Sequence, residues 1–210
     1  MGKQIIYPKI ILASSSRDRK QCFSAAHIPI LVISSDFDED SIIERDPYKL
    51  VQILSEHKAN TVYMKWIQDH PTPLKLDPQI IIGADTMVID NGQLIGKARD
   101  EQHAFEILSK LMGRVHEIIT GVTIIEIESN KRKIFLVSSK VHFQTLTPQE
   151  IWEYIQVTDE FKGRAGAYSM YERASIFIDW IEGSPTNVLG LPMAQLREIA
   201  KEFGIDLLNP

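Results

Sequence analysis

The stretch from Gln79 to Asp90 reads Gln-Ile-Ile-Ile-Gly-Ala-Asp-Thr-Met-Val-Ile-Asp, and it constrains the fold more than any other segment. Its three successive isoleucines predict a short strand covered on both faces, because β-branched side chains suit a pleated, buried surface. Gly83 and Ala84 then remove bulk at the strand end and let another group approach the backbone. Asp85 follows, a carboxylate emerging from an apolar strand. Such an acid either caps a turn or works at a cleft, by holding a metal ion or deprotonating a water. Thr86-Met87-Val88-Ile89 carries the apolar run into Asp90-Asn91-Gly92, a turn that predicts a hairpin back through Gln93-Leu94-Ile95.

Around this strand the pattern alternates. Lys9 to Ala13 reads as a strand broken by Ser14-Ser15-Ser16, and a helix runs from Arg17 towards His27. Pro29 to Ser34 is a second strand, closed by the acidic run Asp36 to Asp40. Asp46-Pro47 starts a helix, with a capping side chain and proline in the first turn. That helix reaches about Gln68 and carries Leu50, Val51, Leu54, Thr61 and Val62 on one stripe. A proline-rich connection, Pro71 to Pro78, leads to the central strand. Asp100 caps a helix that buries Ala104, Ile107, Leu108 and Leu111 and stops at Gly113.

Val115 to Glu128 and Lys133 to Phe143 are expected to form two long strands joined by a turn at Asn130. Thr147-Pro148-Gln149-Glu150 is a capping box opening a helix from Gln149 to about Val157. Ser175 to Ile181 predicts a last strand, and Pro192 to Phe203 a last helix with Gly204 as its stop. Helices alternating with strands, interrupted by hairpins, define an α/β protein with a mixed sheet. Neither standard glycine-rich phosphate loop is present.

At 210 residues the chain suits one large domain or two small lobes. A net charge of −5 argues against nucleic acid or an anionic membrane as partner. Cys22 has no second cysteine to pair with, which makes a reducing compartment the expectation. No run approaches the ~18 apolar residues of a membrane span, and no signal peptide is read at the start. The expected location is the cytoplasm.

Several polar residues stand where chemistry could occur. Ser14, Ser16, Arg17, Asp18 and Arg19 lie between a strand end and a helix start. Backbone amides there attract anions, and serine and arginine add phosphate donors; equally, the serines could simply cap the helix. Lys58 lies about 40° around its helix from Leu54, inside the apolar stripe, so it should point along the core towards an anion or carboxylate. Lys65 shares that stripe and could snorkel. Lys97 follows Gly96 on a loop that could face Asp85. Asp38 and Glu39, at a strand end, could join Asp85 around a divalent ion, which takes one or two carboxylates and completes its shell with water and phosphate. His116 is expected to be structural, and the other histidines lack metal-ligand spacing.

These stretches resemble the Maf family of nucleoside triphosphate pyrophosphatases, from about Ile10 to Pro192. Leu12-Ala13-Ser14-Ser15-Ser16-Arg17-Asp18-Arg19 is similar to the family's opening Leu-Ala-Ser-x-Ser-Pro-Arg-Arg. Ile82-Gly83-Ala84-Asp85-Thr86 matches its core motif without change. Gly96-Lys97, Leu111-Met112-Gly113-Arg114-Val115-His116 and Thr120-Gly121-Val122 follow its middle section in order. Ala165-Gly166-Ala167-Tyr168 and Asn187-Val188-Leu189-Gly190-Leu191-Pro192 resemble its close.

The resemblance implies a single domain over residues 1–210, of the inosine-triphosphatase-like kind, with an elongated, twisted mixed sheet and two lobes around a cleft. It implies hydrolysis of a nucleoside triphosphate to the monophosphate and pyrophosphate with Mg²⁺ or Mn²⁺, and a homodimer. Asp85 matches the position taken as catalytic base. Ser14, Arg19, Glu39, Lys58 and Lys97 match the polar site around the phosphates, and Ser16 and Thr86 are placed with them as substrate-binding residues. Metal ligands would come from Asp85, Glu39 and Asp38.

There are departures. Arg17 and Asp18 replace the family's proline and first arginine, a position associated with nucleobase choice. Tyr171 replaces an expected glutamine, and Gly163-Arg164 replaces Asp-Lys. Thr86 is kept, as in members that prefer dTTP and UTP to 7-methyl-GTP. Asp18, Thr86 and Tyr171 are therefore the specificity candidates, with pyrimidine triphosphates the expected substrates, CTP or modified bases included. The alternative is a nucleotide-binding or regulatory protein with a degenerate site.

Overall fold

The computed structural model describes residues 8–72 and 77–209, so part of the proline-rich connection from Pro71 to Pro78 lies outside the described residues. The chain opens with strand β1 (Ile10–Ala13), helix α1 (Arg17–Ala25) and strand β2 (Ile30–Val32). The long helix α2 (Pro47–Asp69) and the central strand β3 (Ile80–Asp90) follow, and β3 turns back into β4 (Gln93–Ile95). Helix α3 (Glu101–Leu111), strands β5 (Val115–Glu126) and β6 (Arg132–Phe143), and helix α4 (Pro148–Val157) come next. Strand β7 (Ile178–Glu182) and helices α5 (Pro185–Val188) and α6 (Met193–Ala200) close the chain.

Among the described residues seven strands form a mixed sheet in the order β2-β1-β3-β5-β6-β7, with β4 paired to β3. Strand β1 runs parallel to both neighbours, while β4 and β7 are antiparallel to theirs. The expected mixed α/β sheet is therefore what forms. No helix among the described residues is long and apolar enough to cross a membrane.

Local chemistry sets most boundaries. Asp46 caps α2 by accepting from the Tyr48 amide at 3.0 Å, with Pro47 in the first turn. The hairpin after β3 turns on Asn91 and Gly92, both at positive φ, and brings Asp90 opposite Gln93. Thr147 and Glu150 form the expected capping box.

Several boundaries differ from expectation: β2 is confined to Ile30–Val32, β3 does not end at Gly83 but runs through Asp85 to Asp90, β5 stops at Glu126, and α6 gives way after Ala200 to a 3₁₀ turn (Lys201–Phe203). Helix α1 stops at Ala25, because His27 turns left-handed (φ 55°) and the Ile28 amide reaches back to the Phe23 carbonyl at 3.0 Å. That is a Schellman ending with histidine where glycine is usual. Residues Arg173–Ile176 form a 3₁₀ turn, and the last strand starts only at Ile178.

The chain divides into two compact units. The first comprises residues up to Asp85, Thr120–Leu136 and residues from Gly190 on; the second comprises Thr86–Ile119 and Val137–Leu189. In the first, one face of β1 and β3 packs on α2 through Ile11, Ala13, Ala59, Val62, Tyr63, Trp66, Ile81 and Ile125. In the second, Ala104, Leu108 and Leu111 of α3 and Ile151, Tyr154 and Ile155 of α4 share a core with Phe143, Tyr168 and Phe177.

Glycine sets the approach of α2 to the sheet. A Cβ on Gly83 would lie 2.4 Å from the Ser55 carbonyl oxygen and 2.8 Å from the Ala59 Cβ. A Cβ on Gly121 would lie 2.4 Å from the Val51 carbonyl oxygen. The helix therefore rests on bare backbone, and the same turn carries Lys58 to Asp85 in the middle of β3.

Candidate active site

Strand alternation puts Ile81, Gly83 and Asp85 on one face of β3, the face against α2. Ile81 packs into the apolar cluster, Gly83 admits the helix, and Asp85 is left 7% exposed where the apolar contacts end. Lys58, 8% exposed, donates from Nζ to Asp85 Oδ1 at 2.6 Å. The same ammonium lies 2.8 Å from Glu39 Oε1, in the 3₁₀ turn Glu39–Ser41. Two carboxylates thus share one buried ammonium. Lys65, on the same stripe by sequence, is exposed, so only one of the two lysines enters the site.

The second cation comes from α1. Ser16 caps that helix, its Oγ accepting from the Arg19 amide at 3.4 Å. Arg19 is turned inward and 9% exposed. It donates from Nη1 to Ser14 Oγ at 3.1 Å and from Nε to the Gly190 carbonyl at 2.8 Å. The Ser16 amide also donates to Ser14 Oγ, at 3.2 Å. Burial pushes the guanidinium pKa below its ordinary value, while the negative charges of Asp85, Glu39 and Asp18 oppose that shift. Arginine stays a cation even so. Ser14, Ser16, Arg19, Glu39, Lys58 and Asp85 therefore belong to one polar cluster of the first unit.

Asp18, half-buried in the first turn of α1, is near enough to act on the charge of Arg19. Asp38 is exposed, and its main-chain carbonyl accepts from the Ser41 hydroxyl at 2.7 Å. The remaining candidates stand in the second unit. Thr86 is the residue after Asp85 on β3 and is half-buried; Tyr171 is 53% exposed. Lys97 is exposed and its backbone bridges to Ala165. A cavity of about 620 Å³ in that unit is lined by Ala98, Arg99, Asp100, Phe161 and Lys162 among others, and none of the expected site residues lines it.

Among the described residues no group of three or more histidine, cysteine or acidic side chains is placed to hold a metal ion. The paired acids still fit a hard divalent cation of the magnesium type, which uses one or two carboxylates and leaves the rest of its shell to water and substrate phosphates. Lys58 Nζ, bridging Asp85 and Glu39, shows that both carboxylates converge on one positive charge.

Sequence reasoning missed the part played by Gly190. It acts through a main-chain carbonyl, which leaves no signature in residue type. His116 is buried, as a structural histidine would be, and meets the Tyr168 hydroxyl at 2.9 Å.

A buried acid in the middle of β3, two buried cations and a capped helix start make up this polar cluster. The comparisons with known proteins agree in family: the model described as Maf-like protein matches residues 9–203. The chain belongs to the Maf family. It is 35% identical over 200 residues to the dTTP/UTP pyrophosphatase of Clostridium acetobutylicum, covering 95% of this chain and all of the relative. It is 39% identical over 201 residues to the dTTP/UTP pyrophosphatase of Alkaliphilus metalliredigens, covering 95% and 99%. Among solved structures, the Staphylococcus aureus Ham1 protein aligns with 75% of this chain and 91% of its own at 13% identity; its TM-score of 0.35 is too low to define the architecture.

Proposed function

We propose that this protein hydrolyses pyrimidine nucleoside triphosphates, of the dTTP and UTP kind, to the monophosphate and pyrophosphate, clearing non-standard or excess nucleotides. The observation that carries the reading is the Asp85–Lys58–Glu39 cluster beside the buried Arg19. The names of the relatives supply the substrate class, and CTP or modified bases stay within it because Asp18 departs from the family pattern.

In this reading Asp85 accepts a proton from a water whose oxygen bonds to the α-phosphorus. The bond from that phosphorus to the bridging oxygen breaks, and pyrophosphate leaves with the electron pair. Lys58 fixes the carboxylate by donating to Oδ1. Arg19, fixed through Ser14 and Gly190, neutralises phosphate charge that grows in the transition state. Ser14, Ser16, Thr86 and Lys97 complete the substrate contacts, and Asp18, Thr86 and Tyr171 set base preference. Asp85 and Glu39 would hold a divalent cation, which would supply charge neutralisation on the phosphates when bound; Asp38, exposed, stays outside that pair.

The family match runs through both compact units, which supports a single domain over residues 1–210. A homodimer in the cytoplasm completes the proposal. The test is a panel of nucleoside triphosphates with Mg²⁺ or Mn²⁺, assayed for pyrophosphate. Release from UTP and dTTP is the expected outcome. Binding without pyrophosphate release overturns the enzymatic reading in favour of a nucleotide-binding protein.

A further inference from the structure

Arg19 is buried against a residue far away in sequence. Its Nε donates to the carbonyl of Gly190 at 2.8 Å, across a separation of 171 positions. Gly190 has φ 86°, a left-handed conformation that side-chain-bearing residues adopt only with strain. The backbone on its C-terminal side is pinned. Leu191 is fully buried, and Pro192 accepts from the Leu196 amide at 2.9 Å as α6 begins. The glycine carbonyl is therefore aimed by a fixed segment, not a mobile loop tip.

The guanidinium is planar, and two of its edges are taken up at known points. Nε meets Gly190 and Nη1 meets Ser14 Oγ at 3.1 Å. Two such contacts fix both the position and the roll of the fork, which is what bidentate phosphate recognition requires. Ser14 is already among the expected site residues. Gly190 is not, and its carbonyl holds the Nε edge that Ser14 does not reach.

We infer that Gly190 is a positioning residue: its left-handed backbone presents a carbonyl that orients the Arg19 guanidinium towards the substrate's phosphates. This rests on the proposed function, because it takes Arg19 as a phosphate contact. The position tolerates glycine for its φ, so a β-branched residue should turn the carbonyl away, whereas asparagine, which enters the left-handed region readily, should keep it.

The test is a double-mutant cycle read by binding and by turnover. The probe is a UTP analogue with an imido bridge between the α and β phosphorus atoms, titrated into the full chain with Mg²⁺. Gly190→Val should raise the probe's Kd about tenfold and lower kcat/KM for UTP by at least as much, because the turned guanidinium is lost to the bound substrate and to the transition state alike. Gly190→Asn should stay within about threefold of the wild type in each. In an Arg19→Lys background, which keeps the charge but has no Nε for the carbonyl, Gly190→Val should change the Kd less than twofold. If the valine variant does not fold, Gly190→Ala takes its place in the same cycle. An equal effect in both backgrounds, or an unchanged Kd in the single variant, overturns the inference while wild-type hydrolysis leaves the functional reading standing. A wild-type chain that neither binds the probe nor hydrolyses UTP overturns both.

Discussion

The two units bury acidic groups in opposite ways. In the second unit Glu160, 4% exposed, is surrounded by neutral donors. It accepts from the Tyr154 hydroxyl at 2.8 Å and from the amides of Arg173, Ala174 and Ser169 at 2.6, 3.2 and 3.4 Å. In the first unit Asp85 and Glu39 share one ammonium, that of Lys58. A carboxylate saturated by main-chain donors is committed to holding the fold. Carboxylates held by a shared ammonium keep lone pairs for a water or a ligand's counter-charge, and so are fit for chemistry. Burial alone does not separate these roles; the partners do.

The largest effect expected from this contrast is at Asp85. Asp85→Asn should lower kcat by at least about a thousandfold, the scale of losing a positioned base, with little change in melting temperature. Turnover near the wild-type rate would place the chemistry elsewhere. Glu160→Gln should do the reverse. An amide in that ring sets its own N–H against backbone donors, and a loss of about 2–4 kcal/mol in urea unfolding is expected, with kcat per folded molecule within about threefold. A stable but inactive Glu160→Gln would erase the distinction between the units.

The next effect is in the pH dependence of stability. Burial pushes the His116 pKa down from 6.5 to about 4, and the nearby His142 adds to the shift. Below pH 6.5 the unfolded imidazole takes up a proton that the folded one refuses until about pH 4, so the unfolded state gains. Stability should therefore fall as pH drops between those values and level off below them. His116→Phe should remove about 2 kcal/mol of the loss between pH 7 and pH 5, measured as the difference in urea unfolding between variant and wild type. Parallel pH profiles for the two proteins would show that His116 carries no such penalty.

The smallest effect concerns base choice. Asp18→Arg replaces an acceptor-only side chain with a fork of donors and should shift the ratio of UTP to CTP turnover towards UTP by about 1–3 kcal/mol. An unmoved ratio would put Asp18 outside the base pocket.

How far the sequence reached follows the range of the forces involved. The start of β3 and its hairpin are legible because Ile80 to Ile82 and the Asn91-Gly92 turn carry their geometry in residue type; its length is not, since the strand continues past Gly83 and Asp85 to Asp90. Lys58 was legible as a charge on an apolar stripe, but its stripe-mate Lys65 looked the same; only the close approach allowed by Gly83 brings one lysine, and not the other, to Asp85. The strand expected from Ser175 begins only at Ile178, and the reason lies outside the segment. Glu160 takes the amides of Arg173 and Ala174 and bends that segment into a 3₁₀ turn. Helix α1 stops short of His27 because that histidine fills a left-handed position that glycine would have advertised. Local signals set the elements, while distant donors and main-chain atoms set the corrections.

The central claim is that water attacks the α-phosphorus in the cluster around Asp85. A single-turnover reaction of UTP in water enriched in heavy oxygen, with the products separated by mass spectrometry, tests it most directly. The heavy atom is expected in the monophosphate, with none in pyrophosphate. Label in the pyrophosphate instead would mean attack at the β-phosphorus and would contradict the account.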